Sequence, residues 1–88
     1  MIRRKYRFYG QVQGVGFRWT ALRLAKELNI TGYVKNEYDY SVTLEVQGEK
    51  DDVCNMIQNI EDFPYFIISG IDTEELEVIP EDVFRVKY

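Results

Sequence analysis

Three glycines, an arginine and an asparagine carry most of the chemistry this chain could perform. Residues 10–18 read Gly-Gln-Val-Gln-Gly-Val-Gly-Phe-Arg. Gly10, Gly14 and Gly16 permit backbone angles that a side chain would penalise, so successive amide N–H groups can turn toward one point. A helix opening at Phe17 would add the unpaired donors and the positive dipole end of its first turn. Arg18 would stand at the rim with a permanent charge and a planar fork that matches two phosphate oxygens. The implied chemistry is capture of a phosphate-sized anion. The loop is not a P-loop, because no Gly-Lys-Ser/Thr follows, and Gly14 to Trp19 lacks the third glycine of a dinucleotide fingerprint.

The elements that must hold this loop can be read from periodicity. Arg3 to Tyr9 alternates, with Tyr6 and Phe8 on one side and Lys5, Arg7 and Tyr9 on the other, which is strand period. From Phe17 to Leu28 the residues Phe17, Ala21, Leu22, Ala25 and Leu28 share one side of a helix, and Asn29 is a tolerable left-handed stop. Thr31 to Asn36 and Ser41 to Gln47 read as strands, the second with Val42, Leu44 and Val46 inward and Thr43, Glu45 and Gln47 outward. Val53, Met56, Ile57 and Ile60 repeat at helical spacing behind Asp51 and Asp52, and this helix is expected to end near Glu61, before Pro64. A strand lies somewhere within Ile67 to Val78, and Val83 to Tyr88 forms the last one.

The order strand, helix, strand, strand, helix, strand predicts an α+β fold: a ferredoxin-like split βαβ sandwich, βαββαβ with an additional C-terminal strand. Two helices would cover one face of a mainly antiparallel sheet. A geometric consequence follows for the site. The helix from Phe17 descends about 18 Å at 1.5 Å per residue, and the strand to Asn36 climbs back about 20 Å at roughly 3.3 Å per residue. Asn36 should therefore arrive at the level of the glycine loop, where it and Arg18 could face one ligand.

Composition narrows the classes. The 88 residues, 45% hydrophobic and 15% aromatic, suit a single domain spanning 1–88 with one modest core. Cys54 is the sole cysteine and there is no histidine, so neither an internal disulfide nor a soft metal site is expected. The expectation is an intracellular, cytoplasmic, metal-free and cofactor-free monomer with no membrane association, since no long apolar run follows the basic start. The net charge of −4 divides unevenly. Residues 1–36 hold eight Lys or Arg against Glu27, and residues 37–88 hold three against fourteen acids. Arg3, Arg4, Lys5 and Arg7 read as a solvated strand face pairing with acidic neighbours across the sheet. A net acidic chain would repel a long polyanion, so no nucleic-acid partner is expected.

The stretch from Gly10 to Arg18 resembles the signature of the acylphosphatase family. Gly32-Tyr33-Val34-Lys35-Asn36 is similar to that family's second motif, Phe84 to Tyr88 to its last strand, and Arg23 and Ala25 stand at the usual helix offsets. Departures are peripheral: Tyr33 replaces the frequent tryptophan, Lys35 the frequent arginine and Asn29 the frequent glycine, and the turn Glu37 to Tyr40 lacks a glycine often found there. The resemblance implies metal-independent hydrolysis of a small-molecule acyl phosphate to a carboxylate and inorganic phosphate. It assigns phosphate binding to Arg18 and to the loop amides of Gln13, Gly14, Val15, Gly16, Phe17 and Arg18, and water positioning to Asn36. Inorganic phosphate or sulfate would compete for the cradle.

Physical chemistry agrees with that implication. A carboxylate leaving group is already a stable anion, so little acid assistance is needed and charge on the phosphoryl oxygens is the main demand. An uncharged amide can orient water by hydrogen bonds. Two other functions fit parts of the same pattern. One is a non-catalytic phosphate-binding regulatory module, or a domain of a larger carbamoyl-phosphate-using enzyme, against which the start methionine and complete last strand favour a free-standing enzyme. The other is an RNA-binding ferredoxin-like domain stacking bases on Tyr6, Phe8 and Tyr9, against which stand the acidic total and the lack of an RNP-type run.

Overall fold

The computed structural model describes all 88 residues. In chain order the elements are β1 (Ile2–Gln11), α1 (Phe17–Glu27), β2 (Thr31–Asn36), β3 (Val42–Gly48), α2 (Lys50–Glu61), β4 (Ile67–Leu76) and β5 (Phe84–Lys87). The five strands form one sheet in the order β4-β1-β3-β2-β5. Only the β2–β5 pair is parallel. The architecture is the ferredoxin-like split βαβ plan with a fifth strand added beside β2.

Alternation along the strands decides which side is covered. Tyr6, Phe8, Val34, Leu44 and Val46 point into a single buried cluster with Val53, Met56, Ile57 and Ile60 of α2. α1 lies over β2 and β5, and α2 over β3. The buried face of α1 is Phe17, Thr20, Ala21, Leu24 and Ala25. That face is rotated from the one expected, so Leu24 takes the core position while Leu22 and Leu28 remain half-buried at its margins. Asn29 has φ 55°, the left-handed stop anticipated after this helix.

The outward side of the sheet is less solvated than strand patterning suggests. The connection between β4 and β5 crosses it, and Gln47 grips that connection twice: Nε2 donates to the Ile79 carbonyl at 2.7 Å and Oε1 accepts the Ile79 N–H at 2.9 Å. Gln47 is buried in consequence, and Thr43, also buried, donates its hydroxyl to Glu37 at 2.6 Å. Arg3, expected on a solvated face, is only 3% exposed. Its guanidinium bridges Glu45 at 2.8 Å and Glu81 at 2.8 Å. Burial would raise the Glu81 carboxyl, but hydrogen bonds from Arg3 and Thr31 and the charges of Arg3 and Arg85 outweigh it and hold it below its ordinary range. Of the other basic residues of β1, Arg4 pairs with Glu75 across the sheet as expected, and Arg7 reaches Ser41 and Asp39 in the connection between β2 and β3.

Candidate active site

Directly after β1 the chain enters the glycine loop. Gly14 and Gly16 have φ of 74° and 84°, left-handed values that L side chains rarely adopt. A Cβ on either would meet nothing within 4 Å, so conformation rather than crowding demands glycine here, and the space above both is open. Gly10 does not belong to the cradle. It lies in β1 where the register with β4 shifts, and a Cβ there would sit 2.1 Å from the Ile67 carbonyl oxygen.

Gly16 is the N-cap of α1 and makes no side-chain cap bond, and the first turn holds no acidic residue. The helix's first backbone bond runs from the Thr20 N–H to the Gly16 carbonyl, which leaves the N–H groups of Phe17, Arg18 and Trp19 without a partner in the chain. Phe17 fixes the junction. Its ring is 2% exposed and packs 5.1 Å from Phe8 and 4.9 Å from Phe66, centroid to centroid. Val15, expected in the cradle, packs partly against the core and is not among the residues that line the cleft.

A cleft of about 390 Å³ opens at this point. Gln13, Gly14, Gly16, Phe17, Arg18 and Asn36 line it. The loop and the end of β2 thus meet, as the rise calculation anticipated. Parity puts Asn36 on the side of β2 that carries buried Val34, the side α1 covers. The Asn36 Oδ1 atom is buried and has no hydrogen-bond partner. An orphaned acceptor beside unpaired donors marks a place where a polar ligand or water belongs. The Arg18 guanidinium has no carboxylate within salt-bridge reach and stands over the Tyr88 ring, 5.3 Å from its centroid.

The glycine-free turn between β2 and β3 is held by other means. Tyr40 takes φ 73°, and Gln13 Nε2 donates to the carbonyls of Glu37 at 3.0 Å and Ser41 at 2.9 Å. The side chain of Gln13 is therefore a strut between loop and hairpin, a role that its place in the loop did not reveal. Asp39 braces the same turn through Ser41. Hydrogen bonds from the Ser41 hydroxyl and N–H, with help from Arg7, hold the Asp39 carboxyl below its usual value.

Trp19, Leu22, Val86 and Tyr88 also line the cleft, and sequence reasoning assigned none of them to it. Their signal was partial. Phe84, Val86 and Tyr88 share strand parity, but the parallel pairing of β5 with β2 that sets them beside Asn36 is a long-range fact. The RNA reading loses its platform: Tyr6 and Phe8 lie in the core, and Tyr9 hydrogen-bonds Asp72 at 3.0 Å. No group of three or more His, Cys, Asp or Glu side chains is placed to hold a metal ion, and neither helix is long and apolar enough to cross a membrane.

Comparison with known proteins places this geometry. An acylphosphatase from Leuconostoc mesenteroides is 45% identical over 81 residues, covering 90% of each chain. The crystal structure of acylphosphatase from Bacillus subtilis superposes with a TM-score of 0.93 over 100% of both chains, at 24% identity. Full-length HypF, in its phosphate- and nucleotide-bound form, gives a TM-score of 0.91 at 31% identity; the match takes in 99% of this chain and 12% of that one. The family profile described as Acylphosphatase matches residues 4–86, and the chain belongs to the acylphosphatase family.

Proposed function

We propose that the cleft hydrolyses the carboxyl–phosphate bond of acyl phosphates, with Arg18 and the amides of residues 13–18 holding the phosphoryl group and Asn36 positioning the attacking water. The observation that carries these roles is the meeting of Arg18, the unpaired first-turn N–H groups of α1 and the orphaned Asn36 Oδ1 in one cleft. The donors stabilise charge on the transferring oxygens, where preorganised N–H groups act most strongly. Asn36 Oδ1 accepts a hydrogen bond from the water, which attacks phosphorus in line as the bond to the acyl oxygen breaks.

The departing carboxylate keeps the electron pair and needs no proton. Among the side chains that line the cleft none is a carboxylate. The proton released by the water therefore passes to a phosphoryl oxygen of the product. Family membership supports the reaction, and the site chemistry supports the residue roles. The reading also makes the protein a small-molecule enzyme acting as a monomer in the cytoplasm, with inorganic phosphate as a competing anion. The deciding assay sets acetyl phosphate against simple phosphate monoesters in the presence of a chelator. Acyl phosphate should be turned over and esters should not, because an alkoxide leaving group wants an acid that this cleft lacks. Equal rates on esters would overturn the mechanism.

A further inference from the structure

The cleft has two unlike halves. One is the cradle described above. The other is apolar, built from Trp19, Leu22, Val86 and Tyr88, and belongs to the same continuous space. A phosphoryl group held at the cradle leaves the apolar half of the cleft to the rest of the substrate.

The elements explain why this half exists. Trp19 and Leu22 are one helical turn apart on α1, and Leu22 is left out of the core by the rotation of its buried face. Val86 continues the alternation of Phe84 on β5, and the next residue of that parity is Tyr88. The register Lys35↔Lys87 sets Tyr88 beside Asn36, one step on. Trp19 is 72% exposed and Tyr88 95% exposed, a cost in apolar hydration that packing within the chain does not relieve. The Tyr88 ring is also the surface on which the phosphate-binding Arg18 rests.

From this we infer that the apolar half is an acyl subsite, and that the preferred substrates carry a flat aryl or bulky apolar acyl group in place of a small polar one such as acetyl or carbamoyl. The inference rests on the acyl-phosphate reading above and adds the substrate class. A molecule with a dianionic end and an apolar end, joined by one carboxyl group, matches the two halves of the cleft in order. Trp19, Leu22, Val86 and Tyr88 are the side chains that contact the acyl group.

Methylene isosteres test this without turnover or leaving-group differences. Phenacylphosphonate and acetonylphosphonate mimic benzoyl and acetyl phosphate, and calorimetry gives their affinities. The wild-type protein should bind the phenacyl compound about tenfold or more tightly, the range that one apolar group in a pocket commands. Trp19, the sole tryptophan, should change its emission with the phenacyl compound far more than with the acetonyl one. Tyr88→Ala and Leu22→Gln should each bring the affinity ratio toward unity, and Tyr88→Leu should restore much of it.

Affinities within twofold of each other in the wild type would overturn the subsite. So would a parallel loss of both ligands in Tyr88→Ala with the ratio intact, which would reduce Tyr88 to a support for Arg18. If neither phosphonate binds while acetyl phosphate is still hydrolysed, the kcat/KM ratio of benzoyl to acetyl phosphate decides in the same way. Loss of acyl phosphate hydrolysis and of inorganic phosphate binding together would instead fail the parent reading, and this one with it.

Discussion

The Gln13 side-chain amide donates to the Ser41 carbonyl at 2.9 Å, joining the glycine loop to the hairpin that Asn36 enters. A second bond from the same nitrogen reaches the Glu37 carbonyl at 3.0 Å. The glycine loop and the end of β2, which carry the two proposed functions, are therefore registered by one side chain. Gln13→Ala should leave both carbonyls unpaired, lower stability by about 1–3 kcal/mol, and reduce kcat more than a surface change of equal cost. Denaturant melts and steady-state kinetics measure the two effects.

Arg18 and Asn36 should fail differently. Arg18→Ala removes the only side-chain charge in the cleft and should raise KM while lowering kcat, with kcat/KM falling on the order of a thousandfold. Asn36→Ala leaves the phosphate contacts in place. It should lower kcat by about a hundredfold with KM little changed, as loss of a water-positioning group does. A KM effect in Asn36→Ala equal to that in Arg18→Ala would mean the roles are misassigned.

Inorganic phosphate should occupy the unpaired donors at the start of α1. Inhibition should be competitive with the acyl phosphate, and phosphate at a hundred times its Kd should stabilise the fold by about 2.7 kcal/mol. Thermal melts read this directly. The stabilisation should vanish in Arg18→Ala, and a noncompetitive pattern would put the anion elsewhere.

Acid should act through the buried Arg3 cluster. The Glu81 carboxyl lies below its ordinary 4.5 in the folded protein, so its pairing contributes stability that is fully present above about pH 4.5. That contribution is lost as pH falls through the lower folded-state value. Glu81→Gln should flatten the acid limb of a stability-against-pH curve measured by urea melts, with little change in its slope at neutral pH. Steeper acid loss in the variant would reverse the sign of the linkage.

What could be read from the chain divides by range. The strands β1 and β3, both helix spans and the meeting of Asn36 with the glycine loop follow from local periodicity and fixed rises per residue, and the structure has them. Gly10 was misplaced because a glycine at a sheet bulge and one in a ligand loop look alike without the partner strand. The bounds of β4 were indefinite, since Ile67 to Leu76 lies on a sheet edge, buries no residue fully and alternates only from Ile67 to Gly70. Arg3 was read as solvated because the segment that covers it, around Ile79 and Glu81, is some 78 residues away. The apolar half of the cleft escaped notice for the same reason: β5 had to be paired with β2 before Tyr88 could be a wall.

The start of α1 breaks a general preference of helices. Its second residue is a cation and no acid or capping hydroxyl opposes the dipole, an arrangement that weakens an isolated helix by about 0.3–1 kcal/mol per misplaced charge. A laboratory search for heat-tolerant variants would therefore find easy gains at positions 18 and 19 by installing Asp or Glu, while Phe17 is held by the core. Those gains would come from a built-in carboxylate competing for the donors proposed to hold the phosphoryl group, so selection for heat tolerance alone would drive this protein toward self-inhibition.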